Sequence, residues 1–373
     1  MSENWVEKFI EKAISEIKGR VYGNVLAAVS GGVDSTTAAV LAKKALGELV
    51  HAVFIDTGFM RLNEPQKVKK LLENVLPLEI HDYSKTFCSR LEGLSDAEVK
   101  RKTFRQTFYD VLSKLASMKN CKYLVQGTIA PDWIETVGGI KTQHNVLEDI
   151  GINTLKTFGF IVIEPLKELY KDQVRKVALK LGIPAEIAYR QPFPGPGLLI
   201  RTVGRFTLDK LRVCKLSNAI VEEKFKGLGF SQYFAAVIDD DVMESYTKDN
   251  AVIETLRCKA TGVKGDIRAY GNIVVVNGED MRTSISIAEN LWGTITGYPN
   301  ISRVLAQLLE SKRGGKYIVS IRAVVTENFM TASVPKIDYE LLADVANEIL
   351  EIDGVSRVCF DVTPKPPATI EYE

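Results

Sequence analysis

The sequence predicts an α/β fold followed by a second domain of α+β type, and three observations predict it. Short apolar runs alternate with amphipathic helical stretches through the first half. A Gly-Gly turn stands directly after the first of those runs. A proline- and glycine-rich segment, 191–197, separates this half from one whose elements follow a different order. Strands alternating with helices build a parallel sheet covered on both faces, and such sheets bind ligands beyond the carboxyl ends of their strands.

The elements follow in order. Trp5, Val6, Phe9, Ile10, Ala13, Ile14 and Ile17 form a helical stripe with charges between them, so the start reads as an amphipathic helix and not as an export signal. A strand is expected over 25–29, then a helix over 35–46 stopped by Gly47. Further strands are expected over 49–55, 78–83, 122–126 and 160–163, with helices over 64–73, 97–118 and 171–181. The stretch 191–197 holds three prolines and two glycines, which suit neither a helix nor a central strand. It places the boundary between domains 1–195 and 196–373. Beyond it come a helix over 208–226, strands over 273–276 and 317–325, a helix over 339–350 and a strand over 355–362. No internal repeat is apparent.

Composition excludes several classes. The chain has 373 residues, long enough for two domains, and 46% are apolar. Lys plus Arg number 48 against 47 Asp plus Glu, a balance that gives no pull toward nucleic acid or a membrane surface. No apolar run is long enough to span a bilayer. Five cysteines lie scattered without a C-x-x-C pair, and with no export signal they read as reduced thiols in a cytoplasm. Three histidines are too few for a His-rich metal site.

Ser30-Gly31-Gly32-Val33-Asp34-Ser35-Thr36 lies between the first strand and the first helix of the sheet. Two glycines let the backbone approach a ligand, and free amides at a helix start favour anions. Ser30, Ser35 and Thr36 add hydroxyl donors. Asp34 would repel phosphate unless a magnesium ion bridges the two. The string matches neither the P-loop nor the G-x-G-x-x-G pattern.

The whole string resembles the PP-loop of the N-type ATP pyrophosphatases, which cleave ATP between the α and β phosphates and adenylylate a substrate oxygen. Further strings are similar to one branch, the ATP pyrophosphatase part of GMP synthetases. They are Phe54-Ile-Asp-Thr-Gly-Phe-Met-Arg61, Val99-Lys-Arg-Lys102, Gln126-Gly-Thr-Ile-Ala-Pro-Asp132, Ile140-Lys-Thr-Gln-His-Asn145, Glu164-Pro-Leu-Lys-Glu168, Pro192-Phe-Pro-Gly-Pro-Gly-Leu198, Phe329-Met-Thr331 and Lys365-Pro-Pro-Ala-Thr-Ile-Glu-Tyr-Glu373. The resemblance runs in order over nearly the whole chain. It implies an adenine-nucleotide alpha-hydrolase-like N-terminal domain and a C-terminal dimerisation domain that also completes the site for XMP.

By that resemblance ATP binds at Ser30, Gly31, Gly32, Val33, Asp34, Ser35, Thr36, Asp56 and Gly127, with Mg2+ on Asp34. Asp56 and Gly58 follow the second strand, where a ribose or adenine has room; Gly127 ends another strand and leaves space for a flat base. The polar stretch 131–145 resembles a lid that closes over both substrates, with Asp132, Glu135, Lys141, Thr142 and His144 as catalytic candidates. Lys141 would offset charge developing on the α-phosphate. Gln143 stands where the family usually has histidine; it hydrogen-bonds but cannot titrate. XMP, a monophosphate, calls for cations. The matching positions are Arg101, Arg268, Arg322 and Lys365, with Asp266 and Glu371 as acceptors.

The implied reaction is ATP-dependent amination of XMP to GMP through adenylyl-XMP, in a cytoplasmic homodimer. A glutaminase domain would need a Cys nucleophile and a His base, and neither precedes Ser30. Ammonia is therefore expected from a separate glutaminase subunit. A tRNA thiolase would need a cysteine pair and a basic surface. A non-catalytic nucleotide-binding module would not need the polar lid.

Overall fold

The computed structural model describes residues 4–130, 159–265, 267–327 and 329–373. The chain divides into two compact units, Met1–Phe87 with Arg105–Phe193, and Cys88–Phe104 with Pro194–Glu373. Nothing in the sequence marks the stretch 88–104 off from its surroundings, so its membership of the second unit was not expected.

The first unit is built on five strands: β1 (Asn24–Ala28), β2 (Val50–Asp56), β3 (Glu79–Asp82), β4 (Cys121–Val125) and β5 (Ile161–Ile163). They lie in the order β3-β2-β1-β4-β5, and every neighbouring pair is parallel. The order reverses between β1 and β4, so a crevice is expected there, beyond their carboxyl ends. The helices of the first half of the chain are α1 (Asn4–Arg20), α2 (Val33–Leu46), α3 (Glu64–Leu72), α4 (Ser84–Leu91), α5 (Ala97–Met118), α6 (Lys171–Lys180) and the short α7 (Ala185–Ala188); the end of α4 and the start of α5 belong to the 88–104 stretch of the second unit.

Val25, Leu26 and Ala27 of β1 are fully buried, as a strand covered on both faces must be. Helix α2 lies over the sheet with Ala38, Ala39, Val40, Leu41 and Ala42 buried; its small residues let the backbone come close. Gly47 ends it at φ +58° with its N–H on the carbonyl of Lys43, a conformation glycine adopts without strain. The stripe expected on α1 buries Val6, Ala13 and Ile17.

The second unit carries a seven-stranded sheet: β6 (Gln232–Asp239), β7 (Val242–Lys248), β8 (Ala251–Lys264), β9 (Ile267–Asn277), β10 (Ile301–Glu310), β11 (Tyr317–Val324) and β12 (Val355–Asp361). Its helices are α8 (Leu208–Lys224), α9 (Met281–Ile295) and α10 (Tyr339–Leu350). The strand order is β6-β11-β12-β10-β9-β8-β7.

That order contains the same arrangement twice. β9 and β10 are parallel and joined through α9, with β8 antiparallel outside them; β11 and β12 are parallel and joined through α10, with β6 antiparallel outside them. The inner strands β10 and β12 meet antiparallel. The halves are thus related by an internal two-fold. Ser302-Arg303-Val304 on β10 and Ser356-Arg357-Val358 on β12 occupy matching places. Arg303 donates to Asp361 at 2.7 Å, and the matching pair, Arg357 to Gln307, spans 3.2 Å. The sequence showed no repeat because these few residues are what the two halves visibly share.

Candidate active site

Gly31 takes φ +80°, and a Cβ there would lie 2.6 Å from a methyl group of Val68 in α3. Gly32 is the N-cap of α2 in extended conformation, with no side-chain cap. The amides of the helix start are therefore not claimed by a capping side chain. The hydroxyls close the loop on itself: Ser30 N–H donates to Ser35 Oγ at 3.2 Å, and the Ser30 and Ser35 hydroxyls are 3.0 Å apart. Val33 and Thr36 point into the core, and the Thr36 hydroxyl donates to the carbonyl of Gly32 at 2.8 Å. Thr36 thus shapes the loop from inside.

Gly127 follows β4 across the crevice. A Cβ on it would stand 2.5 Å from the carbonyl carbon of Asp34 and from the amide nitrogen of Ser35. The space expected for a flat base is filled there by the first turn of α2; the missing side chain serves helix packing. Asp56 ends β2 and its Oδ1 accepts from the Gly58 N–H at 2.8 Å. That turn fixes the chain after β2, with Gly58 at φ +83°.

Charged partners not anticipated from sequence flank the loop. Lys171, the first residue of α6, donates to Asp34 Oδ2 at 2.5 Å. Arg190 donates to Glu64 at 2.6 Å, and Arg61 lies 3.9 Å from the same carboxylate. These pairs join residues more than a hundred positions apart, apart from Arg61 and Glu64, so no local pattern announces them. Asp132, Glu135, Lys141, Thr142 and His144 lie outside the described residues, as do Gln143 and Asp266.

In the second unit the candidates form two groups. Arg101 and Arg268 are brought together around Glu98: Arg268 donates to it at 3.2 Å, and the Tyr270 hydroxyl donates to the same carboxylate. Burial, then the like charge of Arg268, lowers the affinity of Arg101 for its proton. Burial and the neighbouring Glu98 push the Tyr270 hydroxyl up to about 12. Among the described residues two guanidiniums here face one carboxylate, an excess of positive charge that favours an anion.

The second group holds the C-terminal tail. Arg322 is fully buried and donates to the carbonyls of Thr363 at 2.5 Å and Thr369 at 3.2 Å. Arg303, also fully buried, donates to Asp361 and to the carbonyls of Thr369 and Glu371. The Glu371 carboxylate accepts two bonds from Arg201, at 2.8 and 3.0 Å, and one from Gln232 at 2.7 Å. Glu373 pairs with Lys100, and both are buried. Lys365 is exposed at its tip and donates to the carbonyl of Phe329 at 2.5 Å. Arg322 and Glu371 therefore meet other protein groups first, and Lys365 is half-buried. Sequence reasoning missed Arg201, Gln232, Arg303 and Asp361, because nothing local marks a core arginine as a tail anchor.

Burial pushes the thiols of Cys214, Cys258 and Cys359 up to about 12 and that of Cys121 to about 11. None of these is a thiolate near neutrality. No helix among the described residues is long and apolar enough to cross a membrane.

A five-stranded parallel sheet with a glycine-rich loop and a helix start at its reversal point defines a nucleotide-binding α/β protein, and the NAD synthase family profile matches residues 2–195. The profile described as the GMP synthase C terminal domain matches residues 279–372. The chain is 49% identical over 370 residues to a subunit of the glutamine-hydrolyzing GMP synthase of Sulfurisphaera tokodaii, covering 98% of this chain and 99% of that one. It is 42% identical to the subunit of the same name from Archaeoglobus fulgidus, covering 99% of both. For the Methanocaldococcus jannaschii subunit the identity is 41%, covering 98% and 99%. The chain belongs to this family of glutamine-hydrolyzing GMP synthase subunits, which are ligases.

Proposed function

We propose that this protein aminates XMP to GMP at the expense of ATP. The observation that carries the reading is the uncapped start of α2 beneath the Ser30 and Ser35 hydroxyls, at the reversal point of the sheet, in a chain of this family. ATP lays its β and γ phosphates on the 30–35 loop. The C2 oxygen of XMP attacks the α-phosphorus, the bond to the bridging oxygen breaks, and pyrophosphate leaves. Ammonia then adds to C2 of adenylyl-XMP, loses one proton, and displaces AMP, leaving the 2-amino group of GMP. This reaction needs no covalent nucleophile, so positioning and electrostatics carry the catalysis.

Mg2+ suits the oxygen donors here, the Asp34 carboxylate together with phosphate oxygens; it would supply charge neutralisation on the triphosphate. Lys171 holds that carboxylate in place. By the family resemblance residues 131–145 are the lid, Lys141 offsets charge on the α-phosphate, and Asp132, Glu135, Thr142 and His144 are the further catalytic candidates. Lys141→Ala should lower kcat more than it weakens ATP binding. In domain 196–373, together with the 88–104 stretch, Arg101 and Arg268 take the XMP phosphate and Asp266 its ring or ribose. Lys365 reaches the nucleotide directly, while Arg322 and Glu371 act by setting the tail. That domain also makes the homodimer. The enzyme works in the cytoplasm and receives ammonia from a glutaminase subunit.

Pyrophosphate release that requires XMP is the deciding assay. GMP formation with an ammonium salt, and not with glutamine, is expected of the purified chain. Robust glutamine-dependent synthesis by this chain alone would refute the separate-subunit reading.

A further inference from the structure

We infer that Arg190 completes an anion subsite against the 30–35 loop, one that takes the β and γ phosphates of ATP and the pyrophosphate they become. This rests on the ATP reading above. Arg190 Nη1 lies 3.2 Å from where a Cβ would stand on Gly31. The guanidinium is therefore packed directly on the loop that the phosphates approach.

Its direction is fixed from behind. Glu64, at the start of α3, is 1% exposed and accepts from Arg190 Nη2 at 2.6 Å. Among the described residues this is the hydrogen bond that Arg190 makes. A buried carboxylate needs one cation, and Glu64 has two. Arg61 faces it at 3.9 Å and rests on the Phe193 ring at 4.1 Å from its centroid. Arg190 Nη1 is thus the guanidinium nitrogen turned toward Gly31.

The chemistry of the residue agrees with the place. A guanidinium offers parallel N–H donors that match two phosphate oxygens, and it keeps its charge at any pH the protein meets. With one edge on Glu64, the opposite edge is held ready without a search over rotamers. A simple brace between the 190 segment and α3 would not need the contact with Gly31. The phosphates that leave together as pyrophosphate are those proposed to lie on this loop. Arg190 thus holds product as well as substrate.

The test is titration of magnesium pyrophosphate into the full chain by calorimetry, with steady-state kinetics for ATP and XMP. Arg190→Gln should weaken pyrophosphate and raise the KM for ATP by about tenfold or more, as loss of a charge-assisted fork implies. The KM for XMP should stay within about twofold of the parent. Arg190→Lys should recover part of the loss, and Glu64→Gln should weaken pyrophosphate severalfold because the fork loses its anchor. If Arg190→Lys and Glu64→Gln bind pyrophosphate as the parent does, Arg190 is only a brace and the inference falls, even if Arg190→Gln melts early. A parent chain that binds neither ATP nor pyrophosphate overturns the loop reading together with this one.

Discussion

The ammonium of Lys171 stands 2.5 Å from Oδ2 of Asp34, across a gap of 137 residues in sequence. This contact ties the start of α6 to the first turn of α2, at the loop proposed to hold ATP. Asp34 is one-quarter exposed and Lys171 more so, at side-chain exposures of 24% and 43%. A pair that wet contributes under about 1 kcal/mol to stability. Asp34→Ala should therefore melt within a few degrees of the parent yet lose adenylyl transfer by about a hundredfold or more. Unchanged turnover would remove Asp34 from the ATP site.

The two loop glycines should separate by mechanism. Among the described residues an added Cβ at Gly32 meets the Ser30 hydroxyl, at 3.5 Å, and the backbone is already extended. Gly32→Ala should fold normally and bind ATP poorly. At Gly31 the backbone is left-handed and Val68 is in the way. Gly31→Ala should cost about 1–3 kcal/mol of stability as well. Equal melting temperatures for the two variants would contradict this packing.

Gly127→Ala should behave like Gly31→Ala, for a different reason. Its Cβ would meet backbone atoms of Asp34 and Ser35, which cannot rotate away. The start of α2 must shift, so both stability and the KM for ATP should suffer. A variant with normal stability and normal ATP kinetics would show that the β4 loop and α2 are not in such contact.

Asp361 should set the acid limit of the second unit. Burial alone would raise its carboxyl, but Arg322, Arg303, the Thr363 N–H and the Tyr372 hydroxyl outweigh burial and hold it below the ordinary aspartate value. The stabilisation this shift gives is fully present above the unfolded pKa of about 3.9 and is lost as pH falls through the lower folded value. Asp361→Asn should cost about 3–5 kcal/mol, since two buried guanidiniums lose their charge partner. Melting followed from pH 7 down to about pH 2 checks both points.

The tail must be tested by point substitution. Tyr372 is fully buried and Glu373 is 2% exposed against Lys100, so cutting the chain after Thr363 removes part of the core along with any XMP contact. Lys365→Ala spares that packing. It should raise the KM for XMP severalfold and leave ATP unchanged. An unaltered KM for XMP would take Lys365 out of the site.

The first unit was legible because its code is local. A short apolar run, Ser30 and two glycines, then small helix-forming residues predict β1, the loop and α2 almost to the residue. Helix α10 was likewise placed at its observed ends, 339–350. The second unit was less legible. β6 reads Gln-Tyr-Phe-Ala-Ala-Val-Ile-Asp and is buried along most of its length, so it shows no alternation by which to recognise a strand. β10 and α9 were missed as well, and the strand expected over 273–276 is only the buried end of β9. The candidate site residues that sequence could name are those in contiguous strings. Lys171, Arg190 and Arg303 act through partners far away in sequence, which no window can reveal.

The doubled half-sheet places a reference state inside the molecule. Arg303 and Arg357 sit in the same Ser-Arg-Val context on antiparallel inner strands, but one faces an acid and carries the tail while the other faces an amide and binds Asp240 and Glu254 instead. Each arginine therefore records what its position becomes when the other's task is taken away. Exchanging Asp361 and Gln307 would ask whether anchoring of the tail belongs to one half by history or to whichever half holds the acid.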